Sequence, residues 1–279
     1  MVVKVVTDST SDLPREVASA LDITIVPALV HFGDTVYRDG LELATDDFYH
    51  KLEAGPVLPK TSPPSPGTFK EVYRHLARDT DGIISIHVAS RLSGTVEAAN
   101  IAAGDAGCPV AIVDSQSASM ACGLLAIIAA KAAREGASLV EIEDLVNDAV
   151  PRTVTYGLFD TLEFLVKGGR IGRAQGLLGT LLSIKPILAI RGGEVVPVAR
   201  ARTRPKAINR LCEMVREGGT PVELSVMDST SPADADTLVA MLSPAFPVER
   251  MYRAKIGPVM GTYVGPRALG VAVTWGAAG

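Results

Sequence analysis

The stretch Ile83–Ala103, IISIHVASRLSGTVEAANIAA, constrains the fold more than any other part of the chain. Ile83, Ile84, Ile86 and Val88 form an apolar, β-branched run of the kind that makes a buried strand. The run breaks at Ala89–Thr95 and resumes as a good helix former from Val96. The same order recurs on either side. Val2–Val6 reads as a strand, and Pro14 then opens a helix over Arg15–Leu21. Val110–Val113 reads as a strand, followed by the cap Asp114-Ser115-Gln116-Ser117 and another helix. Alternating elements of this kind argue for a parallel sheet flanked by helices.

The handover at Ser93-Gly94-Thr95 also carries chemistry. A strand that passes directly into a helix leaves the first helical N–H groups unpaired, and the helix dipole favours negative charge there. Glycine lets a ligand approach closely. The residues alone leave two readings open: Ser93 or Thr95 caps the helix, or the turn is a pocket for a carboxylate or phosphate.

Between the first two strands of this pattern, Ile23–Val30 reads as a strand and His31–Gly40 as a hairpin-like connection. A short helix opens at Thr45, Lys60–Gly67 is a proline-stiffened loop, and Thr68–Ala77 is a helix. Ala137–Asn147 is a further amphipathic helix, and Pro151-Arg152 marks a boundary. The expected division is residues 1–155 and 156–279. In the second half Thr153–Phe159 reads as a strand and Thr161–Lys167 as a helix stopped by Gly168-Gly169. A Gly- and Leu-rich segment, Gly172–Ile184, follows. Gly192-Gly193 makes a hairpin between Lys185–Ile190 and Glu194–Ala199. Helices at Arg204–Val215 and Ala233–Leu242 alternate with strands at Val222–Met227, Val248–Ala254 and Gly270–Trp275, and Gly257–Ala268 reads as a loop. The expected fold class is α/β: an N-terminal parallel-sheet α/β/α domain and a C-terminal mixed-sheet α/β domain. Asp-Ser follows a strand and precedes a helix three times, at Asp8, Asp114 and Asp228, and this reads as N-capping.

Composition excludes several classes. At 279 residues with 47% hydrophobic residues the chain has material for more than one core. A net charge of −4 and 5% aromatic residues give no nucleic-acid footprint. Cys108, Cys122 and Cys212 stand far apart and form no metal or redox motif. The longest apolar stretch, Met120–Ala130, is too short to span a bilayer, so no stable membrane insertion is expected. With no charged leader before an apolar core, the expectation is a cytoplasmic protein. Phosphate-loop and dinucleotide fingerprints are absent, since no G-x-G occurs anywhere. Ser93 does not lie in G-x-S-x-G, and all four histidines precede it, so nothing recommends a hydrolase triad. No metal is expected. What remains is a set of hydroxyls and glycines, Thr61-Ser62, Ser93-Gly94-Thr95 and Gly261-Thr262-Tyr263, suited to holding a carboxylate beside an apolar sleeve. Arg170, with Lys167 and Arg173, begins a basic run that continues through Arg191, Arg200, Arg202, Arg204 and Lys206; it suggests a surface for an acidic partner or a phosphate.

Several of these segments, TDSTSDLP (Thr7–Pro14), KTSPPSP (Lys60–Pro66), LSGT (Leu92–Thr95), LEFLVKGGRIG (Leu162–Gly172), IKPIL (Ile184–Leu188) and GPVMGTYVGPRALG (Gly257–Gly270), resemble the DegV family. These are the bacterial fatty-acid-binding (FakB-type) subunits of fatty acid kinase. The resemblance implies two α/β domains enclosing a long-chain fatty acid, with no catalytic residue and no cofactor on this chain. It implies carboxyl binding by Thr61 and Ser93, with Ser62, Gly94, Thr95 and Tyr263 around them. It further implies a separate FakA-type, ATP-dependent kinase subunit that makes the acyl phosphate for phospholipid synthesis, with Arg170 and Arg202 at the docking and phosphotransfer positions. Tyr263 stands where the family usually carries His, and Arg267 where it carries Gly. Tyrosine still donates a hydrogen bond but stays neutral. Two other readings stay open: a carrier of another apolar carboxylate without a kinase, and a stand-alone kinase or acyl hydrolase on a related fold.

Overall fold

The computed structural model describes residues 2–55, 57–177 and 184–277. The N-terminal half runs β1 (Val3–Asp8), α1 (Arg15–Leu21), β2 (Ile23–Val26), β3 (Leu29–Phe32), β4 (Thr35–Arg38), α2 (Thr45–Ala54), β5 (Lys60–Ser62), α3 (Pro66–Leu76), β6 (Gly82–His87), α4 (Thr95–Ala103), β7 (Val110–Asp114), α5 (Met120–Arg134) and α6 (Leu139–Ala149). The C-terminal half runs β8 (Thr153–Leu158), α7 (Glu163–Lys167), β9 (Lys185–Arg191), β10 (Glu194–Ala201), α8 (Arg204–Glu217), β11 (Pro221–Asp228), α9 (Pro232–Leu242), β12 (Tyr252–Lys255), α10 (Pro258–Val264) and β13 (Leu269–Trp275).

β2, β1, β6 and β7 form an all-parallel sheet in that order. β6 is buried at every position, which is why its sequence is nearly all apolar. The second sheet has the order β10-β9-β8-β13-β11-β12, with only the β11–β12 pair parallel. The α/β class with one parallel and one mixed sheet is therefore as expected. β8 already pairs with β13 from Thr153, so the 155/156 division falls inside a strand of the mixed sheet.

α5 lies between the two sheets and touches β1 and β6 on one side and β8, β11 and β13 on the other. A helix covered all round must be apolar all round. Met120–Ala130 meets that demand, with Ile128 its one incompletely buried residue. Small residues let both sheets come close: a Cβ on Gly123 would stand 3.1 Å from the Ser11 carbonyl oxygen. No described helix is long and apolar enough to cross a membrane.

Four expectations need correction. Ile23–Val30 is two strands, because Pro27 removes a ladder donor and the chain turns into β3 of a separate three-stranded sheet, β4-β3-β5. Lys60–Ser62, expected as loop, pairs antiparallel with β3 as β5. Gly257–Ala268 contains α10, with Pro258 in its first turn, where proline's missing N–H costs nothing. Of the three Asp-Ser carboxylates only Asp8 caps a helical element, the 3-10 turn Ser9–Ser11, and none caps an α-helix. Asp8, Asp114 and Asp228 accept from the backbone N–H of Thr10 (3.0 Å), Gln116 (2.8 Å) and Ser231 (3.0 Å), closing tight turns at the strand ends. The Gly192-Gly193 hairpin is as expected. Both glycines have positive φ, +56° and +75°, as a type I′ turn requires. Of the Gly172–Ile184 segment, Gly172–Leu177 is a short 3-10 helix; residues 178–183 lie outside the described residues.

Candidate functional site

One cavity opens between the two sheets. Counted out to its mouth, the space between its atoms is about 1140 Å³. Its lining is mostly aliphatic and aromatic: Val88 and Leu92 come from the β6–α4 connection, Phe159 and Leu165 from the segment after β8, and Ile190 and Leu269 from the mixed sheet. An apolar sleeve with few polar groups is the usual build of a small-molecule site.

The polar groups collect from segments far apart in sequence. Thr61 and Ser62 are on β5, Ser93 and Gly94 precede α4, Thr95 begins it, Tyr263 is on α10 and Arg170 follows α7. Where a Cβ would sit on Gly94, Pro63 Cγ is 3.8 Å away, so the β5 and α4 turns are neighbours. The hydroxyls form two pairs: Thr61 Oγ1 and Tyr263 Oη are 2.5 Å apart, and Ser93 Oγ and Thr95 Oγ1 are 2.8 Å apart. Within each pair one hydroxyl donates to the other, which leaves one O–H proton per pair uncommitted. Two free donors match the two oxygens of a carboxylate. Gly94, not Ser93 or Thr95, occupies the N-cap position, and no side-chain cap bond is made there. The capping reading of this turn therefore fails.

Arg170 ties the site together. Its Nη1 donates to the Gly168 carbonyl (2.8 Å), its Nε donates to the Leu92 carbonyl (3.3 Å), and its guanidinium lies 5.2 Å from the Tyr263 ring centroid. A cation over an aromatic face stabilises both positions. Gly168 is small for a reason: a Cβ there would stand 2.5 Å from Tyr263 Cδ1. Gly168→Ala is expected to push the Tyr263 ring away from Thr61 and to cost about 1–3 kcal/mol of stability through overpacking. Urea denaturation checks the cost, and an unshifted midpoint would contradict it.

Arg202, Arg204 and Arg267 do not join this cluster. Arg202 is exposed, lines no described cavity and makes no ion pair among the described residues. Arg204 is withdrawn into structure, donating to Asp234 (2.6 Å) and Asp160 (3.3 Å). Arg267 Nε donates to Asp160 (2.7 Å), so its charge goes to Asp160 and not to the hydroxyl pairs. Its φ of +58° explains why glycine suits this position. Burial pushes Asp160 upward, but hydrogen bonds from Lys185 and Arg267 and the Arg204 charge hold its carboxyl down at about 2.

Two buried carboxylates lie behind the cavity wall, and neither role has a direct sign in the sequence. Asp12 Oδ2 accepts from Ser119 Oγ (2.5 Å), and its Oδ1 accepts from the Gly257 N–H (2.8 Å) at the start of α10. Ser119 lines the cavity, so this carboxyl links the cavity wall to the helix bearing Tyr263. Burial pushes Asp12 up to about 8, against the pull of those two hydrogen bonds. Asp8 accepts from His87 Nδ1 (2.9 Å), while Ser85 Oγ is 2.7 Å from His87 Nε2 and accepts from Tyr73 Oη (2.8 Å). Burial would raise Asp8, but the His87 and Thr10 hydrogen bonds hold it below the usual carboxylate range. Ser85, His87 and Asp8 have the connectivity of a hydrolase triad, yet all three are fully buried and none lines a described cavity. They are a core network.

The sequence profile described as "Uncharacterised protein, DegV family" matches residues 2–275. A DegV domain-containing protein of Streptomyces coelicolor is 39% identical over 277 residues, covering 98% of each chain. A DegV family protein from Thermus thermophilus, described for its fatty acid binding, superposes with a TM-score of 0.93 at 33% identity, covering 99% of this chain and 100% of that one. DegV of Bacillus subtilis, described as a fatty acid binding protein, gives a TM-score of 0.89 at 32% identity with the same coverage. Profile, sequence and fold agree over the whole length, and this chain belongs to the DegV family.

Proposed function

We propose that this protein binds one long-chain fatty acid in the cavity between its two sheets and presents the carboxyl group to a separate ATP-dependent kinase subunit. The observation that carries the reading is an apolar cavity ending on two free hydroxyl donors, in a fold shared with fatty-acid-binding relatives. The N-terminal half and the C-terminal half, which begins with β8 at Thr153, supply the two walls.

Thr61, Ser93 and Tyr263 hold the carboxylate, with Ser62, Gly94 and Thr95 around them. Neutral donors suit this task, because they orient a carboxylate without protonating it. A fatty acid is already ionised near neutral pH, so its oxygen needs no general base. In the kinase complex one carboxylate oxygen attacks the γ-phosphorus of ATP, the bond to the bridging oxygen breaks, and ADP leaves as the acyl phosphate forms. This chain supplies position, and the partner supplies nucleotide and metal chemistry. Arg170 at the mouth and Arg202 on the surface face the partner. The protein is thus a lipid-binding subunit with no catalytic residue of its own.

Displacement of a fluorescent fatty acid tests the head-group assignment. Thr61→Ala and Ser93→Ala each remove a hydrogen bond to a charged group, expected to cost about 1.5–3 kcal/mol. That is a loss of roughly ten- to a hundredfold in affinity per substitution. Unchanged affinity in the double variant would sink the assignment.

A further inference from the structure

A polar crevice lies behind the wall of the apolar sleeve. Thr10, Ala28 and Ile256 line the sleeve, while their chain neighbours Ser9, Pro27 and Gly257 line the crevice. It opens at the carboxyl ends of β1, β2 and β12, the side of a sheet on which α/β folds bind ligands. Its floor holds two carboxylates, Asp12 and Asp39, which are 9% and 4% exposed. Both aim at one point: a Cβ on Gly257 would stand 3.1 Å from Asp12 Oδ1 and 3.9 Å from Asp39 Oδ1. Asp12 Oδ1 accepts from the Gly257 N–H, whereas Asp39 Oδ1 is buried and meets no donor. The Ser9 hydroxyl and the Val259 and Gly40 N–H groups lie close enough to favour the Asp39 carboxylate, but none satisfies that oxygen. Lys255 and Arg253 on the rim are committed to Asp228, and Arg15, beside Gly40, pairs with neither carboxylate. A buried acceptor left open in this way calls for an ion or a water.

We propose that Asp12 and Asp39 hold one hard divalent cation, of the Mg²⁺ class, in the gap that Gly257 leaves between them. The donors are all oxygen, which suits Mg²⁺, Mn²⁺ or Ca²⁺ and not the softer metals. Among the described residues no cluster of three or more metal-ligating side chains occurs, so water completes the coordination shell. Mg²⁺ keeps several waters and is commonly bound through one or two carboxylates. The crevice has room for a hydrated ion: counted out to its mouth, it measures about 1430 Å³. No spacing in the sequence announces such a site, because its two carboxylates come from separate turns, after β1 and after β4. The ion joins those turns to the start of α10 and so fixes the wall of the sleeve and the helix that carries Tyr263. Its role is structural, and it holds whether or not the sleeve takes a fatty acid.

The test is titration calorimetry on the full chain, stripped with a chelator, with MgCl₂, MnCl₂ and CaCl₂ added in turn at fixed ionic strength. The parent is expected to bind at least one of the three saturably, one ion per chain, and to unfold at a higher urea concentration when loaded. Asp39→Asn removes one ligand charge and is expected to weaken binding about tenfold or more. Gly257→Ala keeps both carboxylates but fills the gap, and should weaken it as well. Glu16→Gln, on the rim of the same crevice, should leave affinity within about twofold. No saturable binding by the parent would overturn the site. So would undiminished affinity in both Asp39→Asn and Gly257→Ala, or a loss in Glu16→Gln as large as theirs, which would mark diffuse attraction to surface charge.

Discussion

His87→Ala is expected to lower the unfolding free energy by about 1–3 kcal/mol or more, because it strips a hydrogen-bond donor from a buried carboxylate. Asp8 and His87 are both fully buried, and the imidazole Nδ1–H is a principal donor to the Asp8 carboxylate. Thr10 and the Val88 N–H remain as the other donors to Asp8. The substitution also orphans the Ser85 proton, which has His87 Nε2 as its acceptor, and opens a void beside Phe69, whose ring packs edge-on against the imidazole at 5.0 Å. His87→Asn places an amide N–H near the Nδ1 position and should recover part of the loss. Equilibrium urea denaturation of the three proteins decides the matter. A loss under about 1 kcal/mol for the alanine variant would mean that Asp8 finds another partner.

The second large effect belongs to Asp12 and is a dependence of stability on pH. Burial raises Asp12 to about 8 from an ordinary carboxylate value of 3.8, so the folded protein holds this proton more tightly than the unfolded chain. Stability from such a group is fully present below the unfolded value and is lost as pH rises towards the folded one. Asp39, raised by burial to about 6, adds a contribution of the same sign over the lower part of that window. The protein is therefore expected to lose stability between about pH 4 and pH 8, by at most about 1.4 kcal/mol per pH unit for each titrating group. Asp12→Asn should flatten most of this slope and stabilise the protein at about pH 8, on the order of 3 kcal/mol. The asparagine Oδ1 can still accept from Gly257, and its amide can donate to Ser119 Oγ. Asparagine also suits the left-handed backbone at this position, φ +52°. A flat profile for the parent, or an asparagine variant less stable at pH 8, would contradict the account.

The fold was legible where burial writes itself into local sequence. β6, β7 and α5 are covered on both sides, so their apolar runs were unmistakable, and Gly192-Gly193 announced its hairpin by conformational need. α10 was missed because the glycines around Pro258 looked like loop, although proline in a first helical turn is a helix start. β5 was missed because three residues paired to a distant hairpin leave no periodicity to read. The site was legible only in parts. Hydroxyl-glycine turns at Thr61 and Ser93 stood out chemically, but their assignment as a carboxyl site came from the resemblance. Nothing local says that Tyr263 meets Thr61, 202 residues away, or that Arg170 lies over the Tyr263 ring. The Asp12–Ser119–Gly257 link was invisible for the same reason, since it joins three turns that only the packed sheets bring together.

Native mass spectrometry of the protein purified from a bacterial host, with denaturing extraction of whatever is released, tests the central claim most directly. The account predicts a mass increment of one fatty acid per chain, released on denaturation and identified as a long-chain acid such as palmitate or oleate. A protein that emerges bare, and stays bare when palmitate or oleate is added, would contradict it.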